Sequence, residues 1–107
     1  MINNIEALKK LCAVKEHVVE ITGTGETIKL RELTVGDRAD HLKWCKEYPE
    51  QFHLIGAMLV ARSCPDLADS DAEELMSLGA DYIQDLSSEV LKVSGLLSDS
   101  VDDEVKN

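Results

Sequence analysis

Apolar positions change their spacing several times along the chain, and each change predicts an element. Ile2, Ile5, Leu8 and Leu11 or Cys12 recur at helical spacing, which predicts a short amphipathic helix through about Val14 whose worth depends on what it packs against. From His17 the period falls to two. Val19 and Ile21 alternate with Glu20 and Thr22, then Ile28 and Leu30 alternate with Lys29 and Arg31, with Gly23-Thr24-Gly25-Glu26 between them as a hairpin connection. A two-stranded hairpin is marginal in water, so its Val19, Ile21, Ile28 and Leu30 face is expected to lie on helices.

Thr34, with Asp37 three residues on, has the chemistry of a capping box and predicts a helix from Val35 to about Glu47. Tyr48-Pro49 interrupts it, because proline disfavours helical geometry in the residue before it yet suits the first turn of a new helix. The next helix is expected from Pro49 to near Ser63. Phe52, Ile55 and Leu59 mark one face of it, and Ala57, Met58, Val60 and Ala61 fill much of the rest, as in a central helix enclosed by neighbours. Pro65 closes it. Ser70-Asp71-Ala72-Glu73 reads as a capping box for a short helix ending before Gly79. A final helix from about Ala80 carries Ile83, Leu86, Val90, Val93 and Leu97 at alternating spacings of three and four, a seam that packs along another helix, and Gly95 is expected to weaken its end.

The fold class that follows is mainly α: a small helical domain with four to five helices and an N-terminal β-hairpin packed on it. Residues 1–97 form one domain, and residues 98–107, rich in Ser, Asp and Glu, are expected to be a disordered acidic tail. A length of 107 residues leaves little room for a second core.

Charge changes the picture of partners. The formal net charge is -10, which opposes docking on nucleic-acid phosphates or anionic lipid, so neither nucleic acid nor membrane is an expected partner. Residues 1–64 hold nine basic and nine acidic side chains, whereas residues 65–107 hold two and twelve, so the whole excess follows Pro65. Three cysteines, Cys12, Cys45 and Cys64, with no CxxC pair and no leader-like start, fit a reducing cytoplasm. The longest apolar run, Leu54 to Ala61, has eight residues against the roughly 20 that cross a bilayer.

No catalytic pattern emerges, and an enzyme is not expected. Gly23-x-Gly25 is followed by a strand instead of a helix and lacks the lysine of a phosphate cradle. His41 and Cys45 are four apart, with His53 and Cys64 as conceivable further ligands, but the tight ligand pairs of a zinc site are missing. A calcium loop starting at Asp69 would need glycine where Glu74 stands and glutamate where Ala80 stands. No cofactor is therefore assigned. Trp44 and Tyr48, four apart on a charged helix, suit either the core or an exposed anchor for a partner.

The segment Thr27-Ile28-Lys29-Leu30-Arg31-Glu32-Leu33-Thr34, followed by Asp37-Arg38 and His41-Leu42, resembles the strand-to-helix junction of tail assembly chaperones of long-tailed bacteriophages, among them the G-type minor tail proteins of lambda-like phages. The likeness continues through Gly56-Ala57-Met58-Leu59-Val60-Ala61-Arg62-Ser63 and Val90-Leu91-Lys92-Val93-Ser94-Gly95-Leu96, and covers roughly residues 18–97. The middle and the tail are shorter here than in lambda-like members. The resemblance implies a helical protein of the host bacterial cytoplasm, absent from the finished virion, that binds the tape measure protein and keeps it competent while the tube polymerises. It also implies a homo-oligomer, and a longer frameshifted form that recruits the tail tube protein.

Such a helper needs a groove for apolar helix faces and a soluble exterior. The groove is expected between the central and final helices, from Met58, Ile83, Leu86, Val90 and Val93. The alternative is an acidic adaptor or inhibitor, a nucleic-acid mimic or toxin antagonist, presenting Asp66, Asp69, Asp71 and Glu73 to a basic partner.

Overall fold

The computed structural model describes residues 1–96. Over these, α1 (Ile5–Leu11) leads into an antiparallel hairpin, β1 (Glu16–Glu20) and β2 (Thr27–Arg31), followed by α2 (Val35–Glu47), α3 (Phe52–Ser63), α4 (Ala72–Leu75) and α5 (Ala80–Val93). This is the small helical domain with an N-terminal hairpin that the spacing predicts. The expected acidic tail, and Leu97 of the final seam, lie outside the described residues.

The hairpin pairs His17 with Leu30 and Val19 with Ile28, which puts Val19, Ile28 and Leu30 on one face and leaves Val18 exposed on the other. That face meets helices as expected: Leu30 is fully buried with Leu59, Cys64 and Val90, and Val19, Ile28, Leu33, Trp44, Leu67 and Leu91 pack around them. A second cluster, Ala57, Ala61, Ala72 and Ile83 with Met58 and Leu75, lies between α3, α4 and α5. Helix α3 contributes to both clusters, so the enclosure read from its composition is real. Small residues let it approach its neighbours closely: a Cβ on Gly56 would stand 3.2 Å from the Ser87 hydroxyl of α5.

Polar links hold the hairpin to this frame. The buried Ser63 hydroxyl donates to the Arg31 carbonyl at 2.7 Å. Ser94 at the end of α5 accepts from the Leu33 amide at 2.9 Å and donates to the Val90 carbonyl at 2.7 Å. The Thr34 box forms in full, with the Thr34 hydroxyl accepting from the Asp37 amide at 3.0 Å and the Asp37 carboxylate accepting from the Thr34 amide at 2.9 Å.

Four local expectations are corrected. Helix α3 begins at Phe52 instead of Pro49, because Glu50 takes a left-handed conformation (φ 67°) that no helix can continue through. The Ser70–Glu73 capping box does not form; the Asp71 carboxylate accepts from the Ala68 amide at 2.7 Å, and the helix that follows has only four residues. Gly95 ends α5 constructively. At φ 75° it donates to the Lys92 carbonyl while Leu96 donates to Leu91, the pair of bonds that closes a helix with a left-handed residue. Finally, α1 is shorter than expected and buries none of its residues.

Candidate functional site

The five residues expected to bound a groove fall in different environments. Leu86 and Val90 face inward from α5 and are buried, and Val93 is half-buried one turn beyond. Helices α3 and α5 lie against each other, so this part of the seam is filled by the protein's own side chains. Ile83 is also 5% exposed, yet it forms the floor of an open hollow. Met58 is half-buried on another side of α3, in a shallow depression with Trp44, Arg62 and Asp69.

The hollow above Ile83 is built where α4 gives way to α5. Its walls are His53 from the first turn of α3, Leu75, Met76 and Leu78 from the end of α4 and the turn after it, and Ala80 from the start of α5. The chain can make this wall because the brief α4 ends at Leu75, leaving Met76-Ser77-Leu78 in successive turn hydrogen bonds instead of on a helix face. The Tyr82 ring leans over Gly79, whose missing Cβ leaves room for it: one placed there would lie 2.9 Å from the ring. A second hollow adjoins the first, sharing His53 and Ile83 and extending to Phe52, Gly56, Gln84 and Ser87.

The volumes are about 250 Å³ and about 170 Å³, below the roughly 300–1,000 Å³ of small-molecule sites and suited to inserted side chains. The rim is apolar and exposed: Phe52 is 74%, Leu78 54%, Met76 47% and Tyr82 47% accessible. Glu73 and Glu74 precede this segment, and Asp81 and Asp85 follow it on α5, all exposed. The result is a greasy depression that none of these four carboxylates lines, and Asp81 and Asp85, two residues either side of Ile83, lie on the opposite face of α5.

A different cluster, missed from sequence, surrounds Arg62. Its Nε and Nη2 form a fork on the two Asp69 oxygens at 3.0 and 2.8 Å, while Nη1 reaches Asp37 at 2.9 Å and Asp40 at 2.8 Å. The guanidinium carbon lies 5.2 Å from the centroid of the Trp44 ring. Arg31 completes the group with a 2.6 Å bond to Asp37. Burial pushes the Asp37 carboxyl up, but hydrogen bonds from Arg31, Thr34 and Arg62 outweigh it and hold the group well below the usual carboxylate range. The hydrogen bonds that Arg62 donates to Asp69, then to Asp40 and Asp37, hold its proton more tightly than usual. This cluster joins β2, α2, α3 and the loop before α4, and every carboxylate in it faces a guanidinium. The signal in the sequence was a lone arginine in an otherwise apolar helix, which needs partners to be tolerated there.

Among the described residues, no three His, Cys, Asp or Glu side chains converge to hold a metal. His41 instead meets Arg38, 2.8 Å from its Nδ1, and burial followed by that cation pushes its pKa down. Cys12 and Cys45 are exposed and Cys64 is buried, all three as free thiols. Trp44 and Tyr48 are both half-buried, and Trp44 serves the core and Arg62. No described helix is long and apolar enough to cross a membrane. No family model matches the chain, and neither does any curated protein or solved structure.

Proposed function

We propose that this chain is a bacteriophage or prophage tail assembly chaperone, which binds apolar helix faces of a tape measure protein in the host cytoplasm and is left behind by the finished virion. The observation that carries the reading is the open hollow over Ile83, with exposed Phe52, Met76, Leu78 and Tyr82 around it. Its volume lies below the usual range of small-molecule sites and suits side chains presented by an amphipathic segment. The resemblance over residues 18–97 supplies the identity of the client, and the longer form that recruits tube protein belongs to the same reading.

The contact surface moves relative to the sequence expectation. Ile83 stays in it, Leu86 and Val90 are buried in the molecule's own packing, Val90 with Leu30, Leu59 and Cys64, and Met58 and Val93 do not line the hollow. The alternative, an acidic mimic acting through Asp66, Asp69, Asp71 and Glu73, has less support because Asp69 is already engaged by the Arg62 fork.

Co-expression with a tape measure fragment tests the proposal. The expected outcome is a soluble complex that co-purifies, is lost in a Leu78→Asp variant and persists when Asp66 and Glu73 are changed to lysine. A fragment that stays insoluble beside the wild-type chain overturns it, and the reverse pattern of variants favours the mimic.

A further inference from the structure

One helix face has nothing to lie on among the described residues. Ile5, Leu8 and Leu11 of α1 are 62%, 45% and 71% accessible, and none of the helix is buried. A helix of seven residues is far below the roughly 12–15 at which isolated helices persist in water, so its helical state requires a surface. Around the helix, Lys9 borders the apolar stripe next to Ile5, and Glu6 stands on the far side; Lys15 follows in the segment before β1. Residues 1–15 hold three lysines and one glutamate, a basic stretch in a chain of formal charge -10. Among the described residues Lys15 is in no ion pair, and Lys9 has only a loose one, 3.9 Å from exposed Glu6. The complement of this surface is an acidic segment with a few aliphatic side chains.

The chain carries such a segment, and it leaves the fold beside α1. Residues 97–107 hold four acids and one lysine, and Leu97, Val101 and Val105 recur every fourth residue, the period of one helix face, with Asp102 and Glu104 flanking it. Gly95, at φ 75°, turns the chain out of α5 directly after Ser94. The Ser94 hydroxyl accepts from the Leu33 amide at 2.9 Å. The residue before Leu33, Glu32, donates its amide to the Lys15 carbonyl at 2.9 Å, and its carboxylate accepts from the Lys15 amide at 2.9 Å. The exit from α5 and the root of α1 are thus fastened to adjacent residues. The eleven residues after Leu96 reach up to about 36 Å when extended, against about 10 Å for the length of α1. We infer that residues 97–107 fold back on α1, with Leu97, Val101 and Val105 on Ile5, Leu8 and Leu11, and with Asp102 and Glu104 beside Lys9 and Lys15. A tether this short gives the two segments an effective concentration on the order of millimolar, so a contact too weak to form between separate molecules is populated within one. The apolar face of α1 is then open to another molecule only when the tail leaves it.

Hydrogen exchange of the intact chain, dilute and with no other protein present, tests this. The amides of Leu8 and Cys12, which donate to the Asn4 and Leu8 carbonyls, report on α1. In the wild type they are expected to exchange at least roughly tenfold more slowly than in a Val101→Asp/Val105→Asp variant, and to lose protection as salt rises. Asp102→Lys/Glu104→Lys is expected to remove part of the protection. Thermal unfolding checks that both variants, changed only outside the described residues, keep the fold. A carbodiimide, which joins a carboxylate to an amine in direct contact, is expected to link Lys9 or Lys15 to Asp102 or Glu104 within single wild-type chains. Amides of α1 that exchange at unfolded-chain rates in the wild type overturn the inference, as does protection that the tail substitutions leave unchanged, or the absence of that link. Protection lost on dilution also overturns it, because the cover is then a second copy. No tape measure fragment takes part, so failure here leaves the proposed function as it stands.

Discussion

Arg62 is the residue on which most depends for its size. It sits in a helix whose other positions are almost all apolar or small, 19% exposed at its side chain, and its four hydrogen bonds are spread over three carboxylates from two other parts of the chain. Removing Arg62 takes one of two guanidinium partners from the buried Asp37, which keeps Arg31 and the Thr34 amide, while Asp40 and Asp69, 47% and 63% exposed, turn to water. Arg62→Met, which keeps the aliphatic volume against Trp44, is expected to lower unfolding free energy by about 2 kcal/mol in urea titration. A loss under 1 kcal/mol would show that the cluster is solvated and weak. Changing Lys43, whose pair with Glu47 lies on the open surface at 3.7 Å, is expected to be nearly silent.

Elements were legible to the degree that a local rule decided them. The Thr34–Asp37 box and the start of α5 at Ala80 stand where spacing put them, because capping chemistry and periodicity act within a few residues. The start of α3 differs from the expectation because the left-handed Glu50 leaves no mark in composition, and the box at Ser70 does not form because Ser70 lies inside a tight turn, Asp69–Asp71, that runs directly into α4. The hollow could not be read at all: Met76 and Leu78 gain meaning only when the end of α4 is brought against His53 and Ile83. Helix propensity alone marks Gly95 as a weakness, whereas its φ of 75° makes it the residue that lets α5 stop. Gly95→Ala is accordingly expected to cost about 1 kcal/mol in thermal or urea unfolding, the opposite of what a glycine-to-alanine change does inside a helix.

At the scale of the whole molecule, two electrostatic effects oppose each other as pH falls. The chain carries a formal charge of -10, and protonating exposed carboxylates relieves its self-repulsion. Asp37 acts in the other direction. Its carboxyl is held below the usual range in the folded chain, so the unfolded chain binds the proton more readily. Its contribution is therefore complete at neutral pH and is lost as pH drops below the unfolded value of about 3.9 toward the lower folded one. Asp69, lowered chiefly by its hydrogen bond from Arg62, shifts stability in the same sense. The stability gap between the wild type and Asp37→Asn is expected to be constant from about pH 8 to 5 and to narrow below pH 4. A gap that widens in acid would contradict the assignment of Asp37 as the buried anion.

The stitch between Ser94 and Leu33 has a practical outcome. It fixes the far end of α5 beside the hairpin, one full helix length from the Ala80 end that borders the hollow. A dye, biotin or fusion attached after Leu96 thus begins its path on the opposite side of the molecule from the depression, and the free thiol of a cysteine substituted at Gln84 would sit at its edge. One label can anchor the protein and the other can sense what enters.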